Sequence, residues 1–314
     1  LQRERLDLSA VAVLVLDEAD RMLEMGFADE VQAILSHVPR ARQTALFSAT
    51  FPETLAELVG SWLREPVHVT VASEGKDLDA AAAVVEEEDK DAALAGLLGA
   101  LQPASVLVFR NLKRTVAETA ALLKTAGFDA DALHGDLEQR ERDAVMARFR
   151  NGSLRVLVAT DVASRGLDIA GLDLVVNVDL PVHAEDYVHR VGRTGRAGRP
   201  GVAWTFITDK QIGRLETLAA GAVMRPLLDH AGPALVSSWT TFWIGAGRGD
   251  KLRPGDLLGA LTGTIGLAGS EVGKIEIHDR WAFFAVARSA ARKVSEGLAR
   301  EKVKGLRLRF EQLG

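Results

Sequence analysis

The sequence predicts an α/β protein: one partial and then one complete doubly wound unit, with parallel sheets carrying helices on both faces, followed by a small α+β module of βαββαβ order. Three observations predict it. Short apolar runs rich in β-branched residues recur between amphipathic helical stretches, the pattern of strands buried in a parallel sheet. Acidic boxes and turn residues stand at the carboxyl ends of those runs, where open α/β sheets carry their functional loops. After residue 237 the pattern changes to alternating strands around two helices, a ferredoxin-like order.

Residues 11–16 form the first run, expected as a strand buried on both faces, and residues 44–47 the second, with an amphipathic helix over about 29–37 between them. An acidic, alanine-rich stretch, 74–91, reads as a linker and the approach to a second domain. Five strands are expected there, at 105–109, 130–133, 155–159, 174–178 and 201–207. Helices fall between them at 112–126, closed by Gly127 as a left-handed cap, at 138–150, closed near Gly152, and at 184–191. Pro226 and Pro233 mark a connector. The tail parses as strand 241–245, helix 254–261, strands 272–277 and 281–287, helix 289–299 and strand 306–310. The expected domains are therefore 1–73, 74–224, a linker 225–236, and 237–314.

At 314 residues, 47% hydrophobic and 26% charged, the chain has length for two or three domains. The absence of cysteine excludes disulfides, thiolate zinc sites and cysteine nucleophiles. The longest apolar run near the start is too short to span a bilayer and no signal segment precedes it, so a cytoplasmic protein with no membrane partner is expected. A start at Leu1 rather than Met fits a truncated beginning. The net charge of −5 is unevenly spread: residues 237–314 hold 13 Lys and Arg against 8 Asp and Glu, and the remainder 25 against 35. A basic module appended to an acidic body suggests a polyanionic partner.

Asp17-Glu18-Ala19-Asp20 follows the first strand and Ser48-Ala49-Thr50 the second. Transfer of a γ-phosphoryl group needs carboxylates to hold Mg²⁺ and position water, and arginines to meet developing charge. Asp17 fits Mg²⁺ held through its water shell, and Glu18 fits the base that orients and deprotonates water; a solvated acidic turn is the alternative. Ser48 and Thr50 either cap the next turn or hydrogen-bond those carboxylates, coupling nucleotide state to nucleic-acid grip. Arg190, Arg193 and Arg196, at three-residue spacing among Gly192 and Gly195, form either a solvated basic face or arginine fingers that reach across a domain cleft. No G-x-x-x-x-G-K-[ST] loop occurs; Gly75-Lys76 and Gly273-Lys274 lack its other residues. The 314 residues are accordingly expected to be an enzyme fragment, inactive alone.

His134-Gly135-Asp136, Gln139 with Arg142, Thr160-Asp161 and Arg165-Gly166-Leu167-Asp168 lie at strand ends of the second domain. Gly135 and Gly166 permit close backbone approach to phosphates or are turn residues; Arg142 and Thr160 suit a sugar-phosphate backbone, and Asp168 a ribose or an arginine. In the tail, Trp243, Trp281 and Phe283 occupy positions where a sheet exposes stacking aromatics, or else belong to the core. Phe242, Ile244, Phe284 and Val286 are core. Arg248, Lys251, Arg253, Lys274, Arg280, Lys302 and Lys304 imply phosphate contact.

Together these boxes resemble the DEAD-box ATP-dependent RNA helicases over essentially the whole chain. Residues 17–20 look like motif II, 48–50 like III, 106–109 like IV, 159–168 like V and 189–196 like VI. The tail, with Arg253-Pro254-Gly255-Asp256-Leu257-Leu258-Gly259, is similar to the RNA-binding domain of the DbpA subfamily. The resemblance implies RecA-like domains followed by an RRM-like domain, with ATP and Mg²⁺ as cofactors. It implies Glu18 as base, Asp17 at the metal, Arg193 and Arg196 as fingers, and Asp168, Arg190 and Asp20 at the nucleotide. Gly135, Arg142, Thr160 and Arg165 would then contact RNA. The subfamily likeness further implies a 23S-type rRNA hairpin bound by residues 237–314, within the pre-ribosomal large subunit. Asp279-Arg280 stands where an RRM usually has a basic residue and glycine. A non-catalytic RNA-binding module and a DNA helicase are the rival readings.

Overall fold

A computed structural model describes residues 7–70, 78–164, 169, 171–195, 200–219, 221–228 and 232–313. The chain divides into two compact units, Leu1–Glu74 and Gly75–Gly314.

In the first unit β1 (Val13–Leu16) leads to α1 (Ala19–Glu24) and α2 (Ala28–Leu35), then β2 (Gln43–Leu46) and α3 (Glu53–Trp62). The strands pair in parallel, Val13 opposite Gln43 and Leu16 opposite Leu46. Leu14 and Leu16 face a core of Val31, Leu35, Leu55, Val59 and Trp62, and the Trp62 indole N–H donates to the Gln32 side-chain oxygen at 3.1 Å. Val13 and Val15 are 58% and 55% exposed. The expectation of a strand buried on both faces is therefore corrected: helices cover the Leu14 and Leu16 side, and the alternate valines point away from it.

The second unit opens with β3 (Leu78–Val84), α4 (Lys90–Leu101), β4 (Val106–Phe109), α5 (Lys113–Thr125), β5 (Ala130–Leu133) and α6 (Gln139–Arg150). It continues through β6 (Val156–Ala159), α7 (Asp161–Ser164), β7 (Leu174–Asn177), α8 (Ala184–Val191), β8 (Gly201–Ile207), α9 (Ile212–Leu218) and β9 (Val223–Met224). All seven strands are parallel, in the order β5-β6-β4-β7-β8-β3-β9. Alternate residues of each strand enter two separate cores, Val106 and Val108 with Leu94, Leu97 and Val116, and Leu107 and Phe109 with Leu157, Val175 and Tyr187. The five-strand expectation thus gains two. Part of the supposed linker is β3, whose Ala81, Ala82 and Ala83 are buried between neighbouring strands. The expected connector also belongs partly to this fold. Leu235 is buried in the same core as Leu97, its carbonyl accepts the Asp129 amide at 2.9 Å, and a Cβ on Gly99 would meet the Gly232 backbone oxygen at 2.9 Å.

The remaining elements are β10 (Trp239–Ile244), α10 (Pro254–Gly259) with a π-turn over Ala260–Thr264, β11 (Val272–Ile277), β12 (Ala282–Ala287), α11 (Ala291–Arg300) and β13 (Phe310–Leu313). They form an antiparallel sheet ordered β11-β12-β10-β13. Phe242, Ile244, Phe284 and Val286 pack onto Leu257, Leu261, Val294 and Leu298, as their alternation predicts. The last strand lies later than expected. Leu308 enters the core from a segment outside the ladder, and pairing with β10 begins only where Phe310 meets Ile244.

Candidate nucleotide and RNA sites

β1 and β2 end side by side, so their following boxes emerge together. The Phe47 amide donates to the Leu16 carbonyl at 2.8 Å and the Ala19 amide to the Phe47 carbonyl at 3.0 Å. Asp20 is buried. Its Oδ2 accepts the Thr50 amide at 2.9 Å and hydroxyl at 2.8 Å, and its Oδ1 accepts the Arg21 amide at 3.0 Å. The Asp20 amide donates to Ser48 Oγ at 3.1 Å, and that hydroxyl donates to the Thr50 carbonyl at 2.6 Å. Burial pushes the Asp20 carboxyl up, but hydrogen bonds from Thr50, Ser48 and the Arg21 amide outweigh it and hold the group below its ordinary value. With a lowered folded pKa, the clamp's stabilisation is complete above the ordinary value and lost as pH falls through the lowered one. Thr50→Ala should raise the Asp20 midpoint in a carboxyl NMR titration, and an unmoved midpoint would refute the clamp.

The expectation that Asp20 meets nucleotide is thereby corrected, since its carboxylate is turned to Thr50. Asp17 and Glu18 are the exposed pair. Asp17 Oδ1 accepts the Glu18 amide at 2.9 Å. Glu18 has φ 53° and ψ 45°, a left-handed backbone that costs a non-glycine residue about 1–2 kcal/mol.

In the second unit α8 delivers Arg190 into the strand ends. Its Nε and one terminal nitrogen grip both oxygens of Asp161, each at 2.7 Å. The remaining N–H groups reach Asn111 Oδ1 at 2.8 Å, the Asp179 carbonyl at 2.8 Å and Asn177 Oδ1 at 3.5 Å, and the guanidinium lies 5.0 Å from the Phe109 ring centroid. Five donors meet five acceptors and the side chain is 1% exposed. The expectation that Arg190 binds nucleotide is corrected on that ground. Asp179 is held from its other side by Arg110 at 3.1 Å, the Asn111 amide at 2.9 Å and buried Lys90 at 3.6 Å. Arg193, half-buried just past α8, donates to the Ile169 carbonyl at 3.3 Å. Arg165, Asp168 and Arg196 lie outside the described residues.

Thr160 follows β6 and its Oγ1 accepts the Ala163 amide at 3.3 Å, capping α7. Arg142 of α6 donates to the Ala163 carbonyl at 2.6 Å, so these two residues meet at α7. Gly135 is exposed, and a Cβ there would come no closer than 3.6 Å to Lys113, an ordinary contact. Lys113 itself pairs with Asp136 at 2.5 Å.

The module's sheet aromatics face protein. The side of the sheet opposite the module core lies on α6 and the turn after it. Phe283 is 1% exposed, and Trp243 is half-buried with the Arg140 guanidinium 4.3 Å from its ring centroid. Their expected role as open stacking platforms is corrected, because Arg140 occupies one face of Trp243 and Phe283 is enclosed. Trp281 lies in the turn before β12, stacked on His278 at 6.0 Å, with Arg280 5.9 Å away. Lys274 pairs with Glu276 at 3.2 Å. Arg248, Lys251, Arg253 and Lys304 line an open pocket of about 440 Å³ with Leu252 and Asp256. Lys304 donates to Asp256 at 2.9 Å and to the Lys251 carbonyl at 2.6 Å, and its ammonium holds Asp256 below the ordinary carboxylate range. Sequence reasoning identified Arg248, Lys251 and Arg253 in this pocket, and missed Arg140, Arg150 and Glu276 at the sheet face because isolated charges read as solvated surface.

Residues 1–58 match the DEAD/DEAH box helicase family, 89–198 the helicase conserved C-terminal domain and 241–312 the DbpA RNA binding domain. The chain is 41% identical over 324 residues to ATP-dependent RNA helicase DbpA of Escherichia coli, covering 100% of this chain and 70% of that one. It is 45% identical over 218 residues to DEAD-box ATP-dependent RNA helicase CshA of Geobacillus kaustophilus, covering 68% of this chain and 47% of the relative. Saccharomyces cerevisiae Dbp5 bound to RNA and ADP BeF3 is 30% identical with a TM-score of 0.65, over 72% of this chain and 62% of that one. Each box read from the sequence falls within or beside a matched segment, and the relative matched along the entire chain carries the same family description: the chain belongs to the DEAD-box family of ATP-dependent RNA helicases.

Proposed function

We propose that the protein carrying this chain is a cytoplasmic RNA-dependent ATPase that locally opens or remodels structured RNA, and that it acts on large-subunit rRNA during ribosome assembly. The observation that carries the proposal is the division of labour in the first acidic box, where Asp17 and Glu18 are exposed while Asp20 is locked to Ser48 and Thr50. A single exposed carboxylate suits Mg²⁺, which keeps most of its waters and takes one or two carboxylates beside the nucleotide phosphates. Bound Mg²⁺ supplies neutralisation of phosphate charge. Glu18 orients and deprotonates water, Arg193 and Arg196 meet the charge that develops, and Asp168 holds the ribose. Thr160, Arg142, Gly135 and Arg165 take RNA phosphates, and the Asp20 clamp relays movement of the acidic loop to the strand that Ser48 and Thr50 begin. The yeast relative's title names RNA and a nucleotide analogue, the two ligand classes carried over here.

The test is RNA-stimulated ATP turnover. The 314 residues contain no G-x-x-x-x-G-K-[ST] loop, so by themselves they should hydrolyse ATP negligibly, while the enzyme that includes that loop should respond to RNA and not to DNA. Robust turnover by the 314 residues, or equal stimulation by DNA, would overturn the proposal. For the module, Lys251→Ala should weaken all RNAs alike and reduce the slope of log affinity against log salt by about 1. Equal affinity for large-subunit rRNA hairpins and scrambled hairpins would remove the ribosomal assignment.

A further inference from the structure

The module is fixed to the preceding domain by a joint along α6, in which every charged group has a partner. At the helix's carboxyl end, Thr241 of β10 is fully buried and contacts the Asn151 amide at 2.8 Å and the Ser153 hydroxyl at 2.6 Å. Arg150, in the last turn, grips both oxygens of Glu276 on β11 at 3.1 and 2.6 Å. In the first turn, Arg140 covers Trp243 and pairs with Glu311 of β13 at 3.2 Å. Arg288 pairs with Asp129 at 2.7 Å, and the Ser237 hydroxyl donates to the Gly152 carbonyl at 2.6 Å. Charge-assisted and two-pronged contacts of this kind fix orientation.

β10 and α6 therefore run in opposite directions. Thr241 meets the end of the helix, and Trp243, farther along the strand, meets its beginning. Beyond Ile244 the chain turns into residues 245–253, which contribute Arg248, Lys251 and Arg253 to the basic pocket. Hence the pocket adjoins the same end of α6 that carries Arg142 and follows Gly135. Positive charge at the pocket and a glycine-arginine surface at the helix start both suit phosphodiester backbone.

We infer that the α6 joint places these two surfaces as one track for a single RNA, a stem held at the Arg248–Lys304 pocket and its single-stranded continuation at Gly135 and Arg142. The inference rests on the proposed RNA role and deepens it. The distance from the recognised stem to the strand being opened is set by a rigid contact, with Arg150 and Glu276 as its positioning pair, in place of a flexible tether.

The test uses the full chain and a large-subunit rRNA stem-loop, bare or carrying an oligouridine extension on either end. One extended probe should bind roughly 10-fold or more tightly than the bare stem-loop, the gain of linking two contacts. Arg150→Glu and Glu276→Arg should each abolish that gain and leave bare stem-loop affinity unchanged, although they alter charge in opposite senses. The double variant should restore it. Lys251→Ala should weaken both probes alike. The inference is overturned if neither extension adds affinity, if the gain survives in both single variants, or if the double variant fails to restore it. Failure of the bare stem-loop to bind is a different result, which refutes the RNA role of the module itself.

Discussion

In the enzyme that includes its phosphate loop, Arg193→Ala should slow RNA-stimulated ATP turnover by roughly 10³-fold or more, the scale of losing an arginine finger. Glu18→Gln should slow it by roughly 10²–10⁴-fold through loss of the general base. Both variants should fold. Glutamine keeps the size of Glu18 and its left-handed backbone, so the strain at that position is unchanged. The Arg193 carbonyl, which accepts the Leu172 amide at 3.1 Å, is untouched by truncation of the side chain. Single-turnover rates with ATP and RNA saturating, alongside thermal melts, separate chemistry from stability. A near-normal rate in either variant would strip that residue of its assigned role.

The parts of this fold that were legible in the sequence are those where one residue type has one use. Val-Leu-Val-Phe at residues 106–109 could only be a buried strand, and the acidic and hydroxyl boxes mark strand ends by their abrupt change of polarity. β3 was not legible, because Ala80 to Ala83 carry no β-branched signal and a run of alanine suits a helix at least as well. The final strand was misplaced because the alternation of Leu306, Leu308 and Phe310 is perfect, whereas ladder pairing is decided by the partner strand. Among site residues, three-residue spacing grouped Arg190 with Arg193 on one side of a helix. The structure separates them, since α8 ends at Val191 and Arg190 alone turns inward. Aromatic alternation on β10 and β12 correctly marked a second used face of the sheet, but alternation carries no information on whether RNA or another helix of the same chain uses it.

That inward turn of Arg190 sets the largest expected effect on stability. Arg190→Ala leaves the Asp161 carboxylate, Asn111 Oδ1 and the Asp179 carbonyl without their shared donor at a site that is 1% exposed on the arginine side. Removing one member of a buried pair typically costs about 3–5 kcal/mol, because the remaining charge stays desolvated. Asp161 is 19% exposed, so water can reach it and a loss of about 3 kcal/mol, near the lower bound, is expected. Arg190→Lys should recover little, since an ammonium cannot match the two-pronged geometry or supply five donors. Urea titration of the 314-residue chain measures both. The decisive comparison is the double variant Arg190→Ala with Asp161→Ala, which removes the orphaned charge along with its partner and should be less destabilised than the sum of the two single variants. Strict additivity would mean the pair is uncoupled. An Arg190→Ala chain as stable as the original would show that the guanidinium serves a ligand after all, and nucleotide affinity would then be the quantity that falls.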